Sequence, residues 1–179
     1  MRFCFVVAAL VTPLIAFAQQ APTSPANPIT ASEKGFYGVV SGEVLAAAEK
    51  MPEENYSFKP TLDVRSFGQL VGHVADAQYM FCALASGEPN PMKGIEKTKT
   101  SKADLVAALK DAMAYCNNAY AAFTDAQASQ MVKFMNFNVA KVTLISINIA
   151  HTDEHYGNMV TYLRLKGIVP PSSERRPGS

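Results

Sequence analysis

The chain has 179 residues, 49% of them hydrophobic, with no tryptophan, three histidines, three cysteines and a net charge of +1. That length can bury the core of a single domain without disulfide or metal staples. Without Arg2, which belongs to the leader, the 16 basic residues fall to 15 against 15 acidic ones, so the chain has no electropositive footprint for nucleic acid.

Arg2 precedes a continuous apolar run from Phe3 to Ala18 that ends in Ala16-Phe17-Ala18, the small-x-small pattern cut by signal peptidase. The run contains Pro13 and is shorter than the roughly 20 residues of a spanning helix. Residues 1–18 are therefore predicted to be a cleaved signal peptide, giving a periplasmic or secreted protein with no stable membrane insertion. Cys4 leaves with the leader. Cys82 and Cys116 remain in an oxidising compartment, where they form either one bridge or two buried free thiols.

Residues 19–32, with Pro22, Pro25 and Pro28 and no periodicity, read as a flexible spacer. Thr30 or Ser32 can cap a first helix over 33–50, where Phe36, Val39, Val40, Val44 and Leu45 recur at three- and four-residue steps. Pro52 ends it, and residues 52–60 form an ordered loop holding Tyr56 and Phe58. A second helix starts at the Ser66 cap and runs to Ser86, stopped by Gly87, Pro89 and Pro91. Residues 88–100, rich in Pro, Gly, Lys and Thr, are predicted to be a surface loop. A third helix opens on Ser101 with Asp104 at the capping-box position and closes at Thr124-Asp125. The stretch 126–137 fits either a loop or a short helical turn. A fourth helix covers 138–166 and ends at Gly167, before a polar tail over 171–179. Four such helices, without strand-like alternation or repeats, define an all-α fold, a four-helix bundle over residues 33–170.

His151 and His155 stand four apart on the last helix, which places both imidazoles on one face. His73 lies on the second helix, in a stripe with Asp76 and Met80. Side-by-side packing of these helices brings three neutral nitrogens to one point and leaves coordination positions open, as in catalytic rather than structural metal sites. The divalent ion predicted for His73, His151 and His155 is zinc or nickel, although three imidazoles also suit copper or iron. Asp76 is placed to orient an imidazole, and Asn148 and Asn158 share the metal-facing stripe.

The block Phe67-Gly-Gln-Leu-Val-Gly-His73-Val-Ala-Asp76, preceded by Phe58-Lys-Pro60, together with His151-x-x-x-His155-Tyr-Gly-Asn158 and the ending Leu163 to Pro171, resembles the DinB superfamily. The resemblance covers nearly all of the mature chain. It implies a four-helix bundle with a divalent metal held by one His on the second helix and an H-x-x-x-H pair on the last, positions matched here by His73, His151 and His155. Relatives include thiol-dependent S-transferases and isomerases, and members are often homodimers.

Two functions are open from the sequence: a metal-dependent enzyme acting on a small molecule through an activated water or thiol, or a non-catalytic metal-binding bundle. They differ in whether the space above the metal is open and polar or plugged by Met and aromatic side chains. A peptidase reading of His151-Thr-Asp-Glu154-His155 as H-x-x-E-H fails for lack of a downstream acidic ligand, since Glu174 in the tail is the only carboxylate side chain after His155.

Overall fold

A computed structural model describes residues 26–91 and 93–174. The predicted signal peptide, most of the spacer and the end of the tail lie outside the described residues. The order is α1 (Pro28–Lys50), a 3-10 turn (Glu53–Asn55), α2 (Phe67–Ser86), α3 (Ile95–Thr98), α4 (Lys102–Ala122), α5 (Asp125–Ala128), β1 (Met131–Phe134), β2 (Phe137–Ala140), α6 (Lys141–Leu165) and a second 3-10 turn (Pro171–Ser173). The long helices α1, α2, α4 and α6 form the four-helix bundle: α2 packs on α4 and α6, and α1 closes the ring against the same two. No helix among the described residues is long and apolar enough to cross a membrane.

Local chemistry sets the ends of α2 and α4. The Ser66 hydroxyl accepts from the Gln69 N–H while the Gln69 amide oxygen accepts from the Ser66 N–H, a reciprocal capping box. Gly87 ends α2 in the left-handed region at φ 77°, which costs glycine little. Ser101 accepts from the Asp104 N–H and donates its own proton to the Asp104 carboxylate, so the predicted start of α4 is observed.

Three expectations are corrected. α1 begins at Pro28, inside the predicted spacer, and neither Thr30 nor Ser32 caps it. The cap comes from the far side of the chain: the Asp125 carboxylate accepts the Ile29 N–H at 3.1 Å and the Thr30 N–H and hydroxyl at 2.9 Å each. Asn27 returns the contact by accepting the Asp125 N–H. Accordingly, Asp125→Ala should speed amide exchange at Ile29 and Thr30 while leaving α2 protected, read by hydrogen-exchange mass spectrometry; unchanged exchange at both amides would contradict this cap.

The second correction concerns residues 126–140. The stretch 126–137 holds the end of α5 and an antiparallel hairpin in register Met131↔Ala140 to Phe134↔Phe137, and the first residues predicted for the last helix belong to β2. Val132, Phe134, Phe137 and Val139 are residue types that suit a pleated surface. Met135 makes the tight turn at φ 52°, an uncommon conformation for a side chain other than Gly or Asn. Third, the 88–100 connection is not only loop, because it contains α3.

The core has two buried clusters. One, around Phe67, Val71, Val74, Leu105, Leu109, Met159 and Leu163, fills the end near the 52–66 connection. The other, around Tyr37, Val40, Leu144 and Ile149, contains a Cys82–Cys116 disulfide that ties α2 to α4, with Cα atoms 5.3 Å apart. Tyr37 stacks on Tyr120 at 4.4 Å in the same cluster.

Candidate metal centre

α2 and α6 lie against each other with His73 facing the His151/His155 pair. The Nε2 atom of His151 is 3.1 Å from the Nε2 of His73 and 3.1 Å from the Nε2 of His155. All three candidate ligand atoms lie within 4.8 Å of one another. Two nitrogens bound tetrahedrally at zinc distances stand about 3.3 Å apart, so the observed spacing is close to that of ligands on one ion. His155 is buried and the other two are half-buried.

The ring orientations are held from outside. His73 Nδ1 meets the Glu96 carboxylate at 3.1 Å, and Glu96 in turn accepts the Arg65 Nε–H at 2.9 Å. Burial pushes the Glu96 carboxyl up, but Arg65 and then His73 outweigh it and hold the group below the usual carboxylate range. An ionised Glu96 accepts a hydrogen bond from the His73 Nδ1–H, which leaves the Nε2 lone pair pointing at its two counterparts. The Asn158 amide nitrogen lies 3.3 Å from His155 Nδ1, where its N–H donates to the ring and braces its orientation. Phe81 packs edge-on against the His151 ring at 5.6 Å, and His151 Nδ1 is buried with no protein partner.

Three Nε2 atoms so arranged cannot satisfy one another. Glu96 turns the His73 Nε2 into a bare acceptor, and the His151 Nε2, standing between the other two, bonds only one of them at a time. Burial first, then the neighbouring His155, His73 and Arg65, holds the His151 pKa down at about 4. Burial first, then His73, also lowers that of His155, with Glu154 opposing. A neutral, electron-rich cluster of this kind fits a divalent cation in both donor type and spacing.

Glu96 is the residue that sequence reading missed. It sits in α3, inside what reads as a polar loop, and it reaches His73 because α3 lies directly on α2 at Gly72. A Cβ on Gly72 would stand 2.7 Å from Glu96 Cα and 2.9 Å from Glu96 N. The usable signal was therefore the glycine beside the histidine. Asp76 does not touch an imidazole as expected; its two oxygens accept the Ile95 and Glu96 N–H groups at 2.9 and 3.0 Å and so hold the turn that presents Glu96.

Asn148 is also displaced from its expected place. It is fully buried behind the centre, donating to the Gln78 amide oxygen at 3.0 Å and standing 3.4 Å from the Tyr120 hydroxyl. Gln78 accepts from Tyr37 and donates to Thr152, so this network ties α2 to α6 one turn from the histidines. Asn158 remains beside the site as predicted. Glu154 is exposed.

Because Glu96 fixes a ligand tautomer, Glu96→Gln should weaken zinc binding about 10- to 100-fold with little loss of helicity. Competition against a coloured chelator measures this, and an unchanged affinity would remove Glu96 from the site.

The fold and site together define a helical bundle with an interhelical three-histidine centre able to hold a metal ion. The family model of the DinB superfamily matches residues 40–159, and the chain belongs to that superfamily. Among solved structures it is similar to a DinB-like protein of Bacillus subtilis, at 20% identity and TM-score 0.67, covering 81% of this chain and 99% of that one. It is similar also to a DinB-like protein of Bacillus cereus, at 15% identity and TM-score 0.67, covering 77% and 95%. These two likenesses concern the fold. No curated protein matches the chain.

Proposed function

We propose that this protein is an exported, metal-dependent enzyme of the DinB type acting on a small molecule, with His73, His151 and His155 as the ligands of one divalent ion, zinc or nickel. The observation that carries the reading is the opening of the cluster into space lined by polar groups. His155 lies on the wall of a cleft of about 730 Å³ together with Arg65, Glu96, Glu154, Asn158 and Thr161. A buried structural site would be closed by packed side chains.

When bound, the ion supplies Lewis acidity, making a water or thiol that it holds a better nucleophile near neutral pH. The protein's own groups divide the remaining work. Glu96 holds the His73 imidazole proton at Nδ1, so that Nε2 is the donor atom, and the Asn158 amide braces the His155 ring. Arg65 keeps Glu96 ionised and brings a cation to the cleft. Lys59, Asp63 and Glu154 offer charges of both signs for orienting a polar substrate. Among the described residues no other nucleophile is assembled, since Cys82 and Cys116 are bridged. Export rests on the leader at residues 1–18, and a disulfide is the form these cysteines take in an oxidising compartment.

The test is removal of the metal. A hydrolase and thiol-transfer screen should find activity that disappears on exhaustive chelation and returns with added zinc or nickel. Equal activity after verified metal loss would contradict the proposal.

A further inference from the structure

The three-histidine cluster stands between two clefts of opposite character. The larger one, on the His155 side, carries Lys59, Arg65, Glu96 and Glu154. The smaller, about 300 Å³, is entered past His73 and His151 and is walled by Ala77 and Met80, with Asp76, Asn90 and Gly94 at its rim. That volume lies at the low end of small-molecule pockets.

Asp76, at the rim of this smaller cleft, is engaged with the α3 backbone, each of its oxygens accepting one N–H, from Ile95 and from Glu96. What remains beside the imidazoles is the Ala77 methyl and the Met80 thioether chain. An anionic substituent would lose water there and meet only the Asp76 carboxylate, whereas an alkyl group beside Ala77 and Met80 gains from burial. The unbranched, polarisable Met80 chain adapts to differing shapes.

We propose that the smaller cleft is an apolar subsite taking a short alkyl or thioalkyl arm of the substrate, and that Met80 sets its specificity. The inference rests on the metal-site reading above and adds the substrate class: an amphipathic small molecule whose polar part faces Arg65 and whose apolar arm passes the His73 and His151 rings.

Alkyl hydroxamates from acetyl to hexanoyl test it on the full, zinc-loaded chain by calorimetry. Acetohydroxamate should bind through the ion, and each added methylene should tighten binding about fourfold until the cleft is full. In Met80→Lys the dependence on chain length should vanish, and Met80→Gln, a milder change at the same half-buried position, should flatten it in part. A flat series in the wild type, or an undiminished slope in both variants, would overturn the subsite while leaving the metal reading standing. Failure of acetohydroxamate to bind zinc-loaded protein would overturn both.

Discussion

Replacing Cys82 and Cys116 together by Ala is expected to lower the unfolding free energy by about 3 to 4 kcal/mol, the chain-entropy value for a loop of this length. The two residues are 34 apart in sequence, and the bridge joins α2 to α4 inside the second core cluster. Both sulfurs also lie within reach of the Asn148 amide, at 3.6 and 3.7 Å, so the bridge is packed against the polar network behind the metal centre. Urea denaturation of the double variant should show a lower midpoint with two-state behaviour retained. A midpoint equal to that of the oxidised wild type would mean that the bridge constrains nothing the core does not already hold.

Acidification is the second large effect. The folded-state pKa of His151 is depressed from 6.5 to about 4, by burial first, and that of His155 is lowered for the same leading reason. A base whose folded pKa lies below its unfolded value binds fewer protons when folded, so the metal-free protein should lose stability as pH falls from about 6.5 towards 4. Above pH 6.5 both states are neutral and these histidines add no pH dependence. The His151 ring is half-buried, so its share of the loss is discounted for solvent screening to about 1 to 2 kcal/mol. Metal should leave in the same window, because protons and the ion compete for the same lone pairs. Thermal melts of chelated protein at pH 7 and pH 4.5 measure the effect; a higher melting temperature at pH 4.5 would reverse the assigned sign.

Much of the scaffold could be read from local signals. Ser66 with Gln69, Ser101 with Asp104, and Gly87 mark helix ends through contacts made within a turn of the chain, and the four-residue spacing of His151 and His155 fixes a shared face. What escaped was decided by residues distant in sequence. The start of α1 depends on Asp125, 96 positions from Ile29, so the proline-rich approach reads as spacer. The hairpin rests on two four-residue strands and a methionine in the left-handed region, too short and too atypical to register as alternation. Glu96 could be found only by knowing that α3 settles on Gly72. Asp76 was correctly placed beside the site, yet it acts through backbone N–H groups rather than on an imidazole. Asn148 shares a helix with the histidines but turns to Gln78 and the disulfide, because an acceptor buried on α2 competes for its amide.

Elemental analysis of protein purified from its native compartment decides whether His73, His151 and His155 are the ligands of one ion. About one divalent metal per chain is expected in the wild type, a sharp loss when any one histidine is replaced by Ala, and none in the triple variant, with far-UV helicity largely intact because the hydrophobic core clusters do not use these rings. A triple His→Ala variant that retains full metal occupancy would contradict it.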